Sequence, residues 1–203
     1  MDTDLGASVS HSISRRTFIV GTAGLIATSL LAQGQEGTKG PVEAPFTRDY
    51  PAPDFKASWK KPQINRTLVE DFVIYAHSDL DMTKKLLERE PMLINAMMDW
   101  GGGDWETALG GASHMGRKDI VGFLLEKGAR IDIFCATMMG QLEAVRSFLT
   151  LQPKLIDSRG PHGFNLHFHA QLAGNEADRM VEYLQSIKRI ELRPNPFAKP
   201  PSS

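Results

Sequence analysis

The chain has 203 residues, a formal net charge of −1, 41% hydrophobic residues and 23% charged residues. This is an ordinary composition for a globular protein, and the near-neutral balance excludes the basic footprint of a nucleic-acid binder. One cysteine, Cys135, excludes an intramolecular disulfide, so packing must hold the fold.

In chain order, Arg15 and Arg16 stand directly before an apolar run from Phe18 to Ala32. The run is shorter than the roughly 20 residues of a membrane-spanning helix and has the length of a signal-peptide core behind a positive segment. Ser14-Arg15-Arg16-Thr17-Phe18-Ile19 resembles the twin-arginine export signal, with Arg15, Arg16 and Phe18 on its recognised positions and Val20 where a basic residue is usual. The resemblance implies a signal peptide over 1–34, cleaved near Gly34, and a periplasmic or otherwise exported mature chain with no stable membrane insertion. The alternative is an uncleaved N-terminal anchor that leaves the rest facing outward. The twin-arginine route carries folded cargo. No cysteine stands directly after the apolar run, so a lipoprotein anchor is excluded.

Residues 35–66 carry Pro41, Pro45, Pro51, Pro53 and Pro62, which forbid a regular helix and predict an extended arm. Its aromatics Phe46, Tyr50, Phe55 and Trp59 predict that part of the arm lies against the folded domain. Thr67-Leu68-Val69-Glu70 has the form of a capping box, with Thr67 as N-cap of a first helix. A second helix through "LDMTKKLLERE" should stop at Pro91.

An internal repeat follows. "SDLDMTKKLL" (78–87), "GRKDIVGFLL" (116–125), "GQLEAVRSFL" (140–149) and "GNEADRMVEYL" (174–184) each open on Gly or Ser, continue polar and end on an apolar pair. Residues 104–132 resemble an ankyrin repeat. Thr107, Leu109, Ala112, Gly116, Val121, Leu124, Leu125, Gly128, Ala129 and Asp132 fall on the family's positions, while Ala108 and Gly110 replace the Pro and His of its turn. The third unit passes from "KGARID" straight into "IFCATMMG", so its finger is deleted. The resemblance implies an all-α, ankyrin-like helical-repeat solenoid of three to four helix pairs over 67–192, followed by a Pro-rich tail, 193–203. Stacked repeats bury a continuous core that no single repeat can build.

The candidate site residues cluster in two places. "MMDWGGGDWE" (97–106) sets Met98, Trp100 and Trp105 around three glycines. The ankyrin resemblance makes this a finger between repeats, where Trp and Met are either anchors for a partner or a cover over the first helix pair. "GPHGFNLHFH" (160–169) holds His162, His167 and His169. The repeat register puts His167 and His169 at the start of an inner helix, with Asn165 in the position of Thr107. Two residues apart on a helix they diverge by about 200°, which argues against a shared metal. A metal would need further ligands such as Asp157 or His114. Cys135 and the adjacent Met138 and Met139 are expected in the core, and Glu70, Asp71, Asp79 and Asp81 on a solvated face.

The ankyrin resemblance implies a non-catalytic protein-binding module that scaffolds or regulates another exported protein. Its candidate contact residues are Met98, Trp100, Trp105, His114, His167 and His169, and no cofactor is called for. The alternative is a small metal-binding protein or metal-dependent enzyme using His162, His167 and His169.

Overall fold

The computed structural model describes residues 43–197. The export motif, with Arg15, Arg16 and Phe18, lies outside the described residues. The chain divides into a unit ending at Ala52 and a second from Pro53 onward. In the first, residues 43–52 have no regular structure, and the Phe46 and Tyr50 rings lie 6.2 Å apart.

The second unit is mostly helical, with eight α-helices and one two-stranded hairpin among the described residues. The helices pair as α1 (Arg66–Tyr75) with α2 (Leu80–Arg89), α3 (Ala108–His114) with α4 (Lys118–Glu126), α5 (Ile133–Met138) with α6 (Leu142–Leu151), and α7 (Leu166–Ala170) with α8 (Ala177–Ile187). The first helix of each pair packs on the first helix of the next: α1 on α3, α3 on α5, α5 on α7. No helix among the described residues is long and apolar enough to cross a membrane.

Local chemistry explains the element ends. Helix α1 starts before the Thr67 box: Asn65 Oδ1 accepts from the Thr67 and Leu68 N–H groups and is the N-cap. Glu70 is drawn instead to Arg66, at 2.8 Å. The next three inner helices share one device, as Thr107, Asp132 and Asn165 each accept a backbone N–H three residues on. The turns into the second helix of the last three pairs use a glycine with positive φ, at Gly116, Gly140 and Gly174. At Gly140 the need is also steric, because a Cβ would sit 2.7 Å from the Glu176 Cβ.

The hairpin joins α2 to α3. Strands β1 (Met97–Asp99) and β2 (Trp105–Thr107) are antiparallel, with Met98 opposite Glu106 and Asp99 opposite Trp105. The Asp99 carboxylate accepts the Gly101 and Gly103 N–H groups and shapes the tip. Between α4 and α5 the chain forms no strand, as the missing finger predicts.

Two apolar clusters make the core. One runs from Phe72 through Leu93, Leu109, Ile120 and Leu124 to Met138; the other joins Ile133, Val145, Leu166, Met180 and Leu184. Cys135 and Met138 are buried, as expected. Phe55 and Trp59 are exposed, and the arm meets the core at Ile64 rather than through these aromatics. The chain after Arg193 does not fray at once, because the buried Asn195 donates to the Phe168 carbonyl at 2.9 Å.

Candidate metal centre

Four side chains from four separate segments converge on one point. His77 follows the end of α1, Glu106 is the middle residue of β2, His114 is the last residue of α3, and His162 sits in the short turn Pro161–Gly163 ahead of α7. One ligand atom from each can be chosen so that all lie within 4.8 Å of one another.

Glu106 is the centre, and it is completely buried. Strand alternation turns it inward while its neighbour Trp105 faces solvent. Glu106 Oε2 accepts the Trp100 indole N–H at 2.7 Å, and lies 3.3 Å from His77 Nε2 and 3.5 Å from His162 Nε2. Glu106 Oε1 lies 3.0 Å from His114 Nδ1. That pair is not aligned as a hydrogen bond, and both atoms are buried with no hydrogen-bond partner. Orphaned polar atoms in a buried carboxylate and imidazole are expensive unless something sits between them.

The other imidazole nitrogens are already engaged. His77 Nδ1 is 2.9 Å from the Val73 carbonyl, which can only accept, so Nδ1 carries a proton and Nε2 presents a lone pair whenever the ring is neutral. His162 Nδ1 is 2.9 Å from Asp104 Oδ2, and the Asp104 carboxylate also accepts the His162 backbone N–H. These outer contacts set tautomer and ring direction as the second layer of a metal site does. Gly111 makes room: a Cβ there would lie 2.6 Å from His77 Cε1.

Electrostatics follow from the crowding. Burial alone would raise the Glu106 pKa, but the adjoining imidazoles of His114 and His77 outweigh it and hold it at about 2. Burial would lower His77, and the Glu106 carboxylate overcomes this and raises it. The aromatic wall is completed by Trp100, 5.2 Å from the His162 ring, and by Phe164, 5.4 Å from the His114 ring.

The residues singled out from the sequence separate. His162 joins the cluster, but His167 and His169 do not, because α7 is helical where they stand and turns them away. Their burial gives another reason to set them apart. His169 is pushed down to about 4 by desolvation and bonds the Asn165 carbonyl through Nδ1, and His167 is also lowered by burial. His114, His167 and His169 are all buried. Met98 is half-buried across from Glu106, and Trp100 folds back onto the cluster. Trp105, at 55% exposure, remains on the surface.

The sequence reading did not select His77, Glu106 or Asp104. A signal for one of them exists: His77 lies just past the end of α1, His114 lies at the end of α3, and α1 packs on α3. Comparison with protein-family models, curated proteins and solved structures returns no match for this chain.

Proposed function

We propose that this chain is an exported, ankyrin-like repeat protein whose activity is to bind one divalent transition-metal ion. The observation that carries the reading is the convergence of three imidazoles on the buried Glu106, with orphaned atoms facing one another. His77 Nε2, His114 Nδ1, His162 Nε2 and a Glu106 oxygen supply three nitrogens and one oxygen. Imidazole with carboxylate suits Zn²⁺ and its first-row neighbours better than Mg²⁺ or Ca²⁺. Metal–nitrogen bonds of 2.0–2.1 Å put tetrahedral ligands about 3.3 Å apart. The contacts here are 3.0 Å to Glu106 Oε1 and 3.3 and 3.5 Å to Oε2, and one ligand atom from each residue lies within 4.8 Å of the others. Four protein ligands fill a four-coordinate shell, which favours a binding or structural role over catalysis.

The twin-arginine resemblance at 14–19 supports export, and that route suits a protein that takes its metal before crossing the membrane. Lysine at both Arg15 and Arg16 should retain the protein in the cytoplasm; unchanged export would sink the localisation. Metal binding is tested by calorimetric titration of the full chain with Zn²⁺, alongside Glu106→Gln. One site per chain, lost in the variant, is expected; equal heats from both proteins would refute the site.

A second reading has its own support. Met97 and Trp105 are about half exposed along the hairpin edge and border a cavity of about 290 Å³ with Phe134, Arg159 and Pro161. An exposed aromatic beside a shaped cavity favours docking of another exported protein. Capture of one defined partner by the wild type and its loss in Trp105→Ala would test this.

A further inference from the structure

Resting on the metal reading, we infer that His162 makes the centre a metal-operated latch that fastens the turn leading the last helix pair onto the hairpin. Three ligands need no latch. His77, Glu106 and His114 all come from the first two helix pairs and the hairpin between them, around one shared core. His162 alone arrives from beyond the third pair.

The turn that carries His162 is under backbone strain. His162 has φ +57°, the one non-glycine residue with positive φ among the described residues, and Gly163 follows at +73°. A side chain in that region is strained, and such geometry persists where surrounding contacts hold it. The contacts holding the His162 side chain run to the hairpin: Asp104 takes Nδ1, and Nε2 faces Glu106. The Asp104 contacts tie the turn to the hairpin without metal, and a dication held by both Nε2 and Glu106 adds a further tie that strengthens the docking.

Docking has a consequence on the far side of the same turn. The cavity beside Trp105 has the hairpin as one wall, through Met97 and Asp104, and the turn as another, through Arg159, Gly160 and Pro161. Gly160 rests against the Phe134 ring, where a Cβ would come within 3.3 Å. Latching at His162 thus assembles this cavity, and release takes its second wall away. Metal occupancy controls the shape of the surface that the second reading assigns to a partner.

The test is limited trypsin digestion of the full chain at the Arg159–Gly160 bond, with Zn²⁺ or with EDTA, after calorimetry has measured Zn²⁺ binding. Arg159 is exposed and Gly160 begins the turn. Zn²⁺ should slow cleavage there at least tenfold, while the Lys127–Gly128 bond, in the turn after α4, keeps its rate. His162→Asn tolerates positive φ, and it should keep weakened Zn²⁺ binding but cut at the metal-free rate. Asp104→Asn leaves the turn sequence intact and should lose most of the protection. Zn²⁺ bound with unchanged cleavage at Arg159 would overturn the latch and leave the metal site standing. No Zn²⁺ binding would overturn both.

Discussion

The two groups of histidines in this chain behave in opposite ways. His167 and His169 are two residues apart and do not meet, because a helix turns them in different directions, and burial lowers the pKa of both. His77, His114 and His162 are spread over more than eighty positions and meet around Glu106. Closeness in sequence is a poor guide to a ligand set here, because residues far apart in the chain meet where helix ends, the hairpin and a turn pack together. The first group belongs to the packing of the last pair. The second has a carboxylate at its centre and orphaned atoms on both sides of it.

The largest expected effect separates these groups outright. Glu106→Gln keeps the shape of the side chain but removes the charge, and should lower Zn²⁺ affinity by about a thousandfold, or about 4 kcal/mol. His167→Gln, measured by the same calorimetry, should change it less than about twofold. Similar losses in both variants would erase the contrast.

A second test concerns His169, whose burial pushes its pKa to about 4 from the usual 6.5. The folded chain holds it neutral and the unfolded chain protonates it. Its contribution is therefore intact above pH 6.5, declines as pH falls from 6.5 toward 4, and levels off below. The loss is on the order of 3 kcal/mol. Urea melts with EDTA present should show His169→Phe losing less stability than wild type across that window. Parallel curves would mean that the imidazole is solvated in the fold.

These contrasts also mark what residue patterns convey. The helix pairs follow from the apolar periodicity and the Gly or Ser openings, and the deleted finger from the shortness of 127–132. Asn165 was placed correctly as the counterpart of Thr107, since both cap a helix through the same hydrogen bond. The start of α1 was misplaced by two residues because Asn65 is the better-positioned acceptor. Glu106 stayed hidden because a lone acidic residue between Trp105 and Thr107 reads as surface; its burial depends on the direction of a three-residue strand. The turn Gly160-Pro161-His162-Gly163 is more elaborate than a cap requires, and its shape is accounted for by a contact with Asp104 across the fold.

Smaller effects refine the centre itself. Gly111→Ala would put a Cβ 2.6 Å from His77 Cε1, so the ring must swing away from Glu106. Zn²⁺ affinity should fall about thirtyfold, with the helical circular dichroism retained, as expected when a ligand is misdirected. Unchanged affinity would show that His77 is dispensable. Trp100→Phe keeps the ring but removes the indole N–H that holds Glu106 Oε2, and should cost about tenfold in affinity. If Trp100 only covers the core, the variant will bind as wild type does.

The most direct measurement is the metal content of the full chain. Purified without chelator, dialysed against metal-free buffer and analysed by plasma mass spectrometry, it should retain close to one first-row transition-metal ion per chain. Titration of stripped protein with Zn²⁺ should give a single site with Kd below about 1 μM. Sub-stoichiometric metal in wild type, together with no saturable Zn²⁺ binding, would contradict the assignment of His77, Glu106, His114 and His162 as a metal centre.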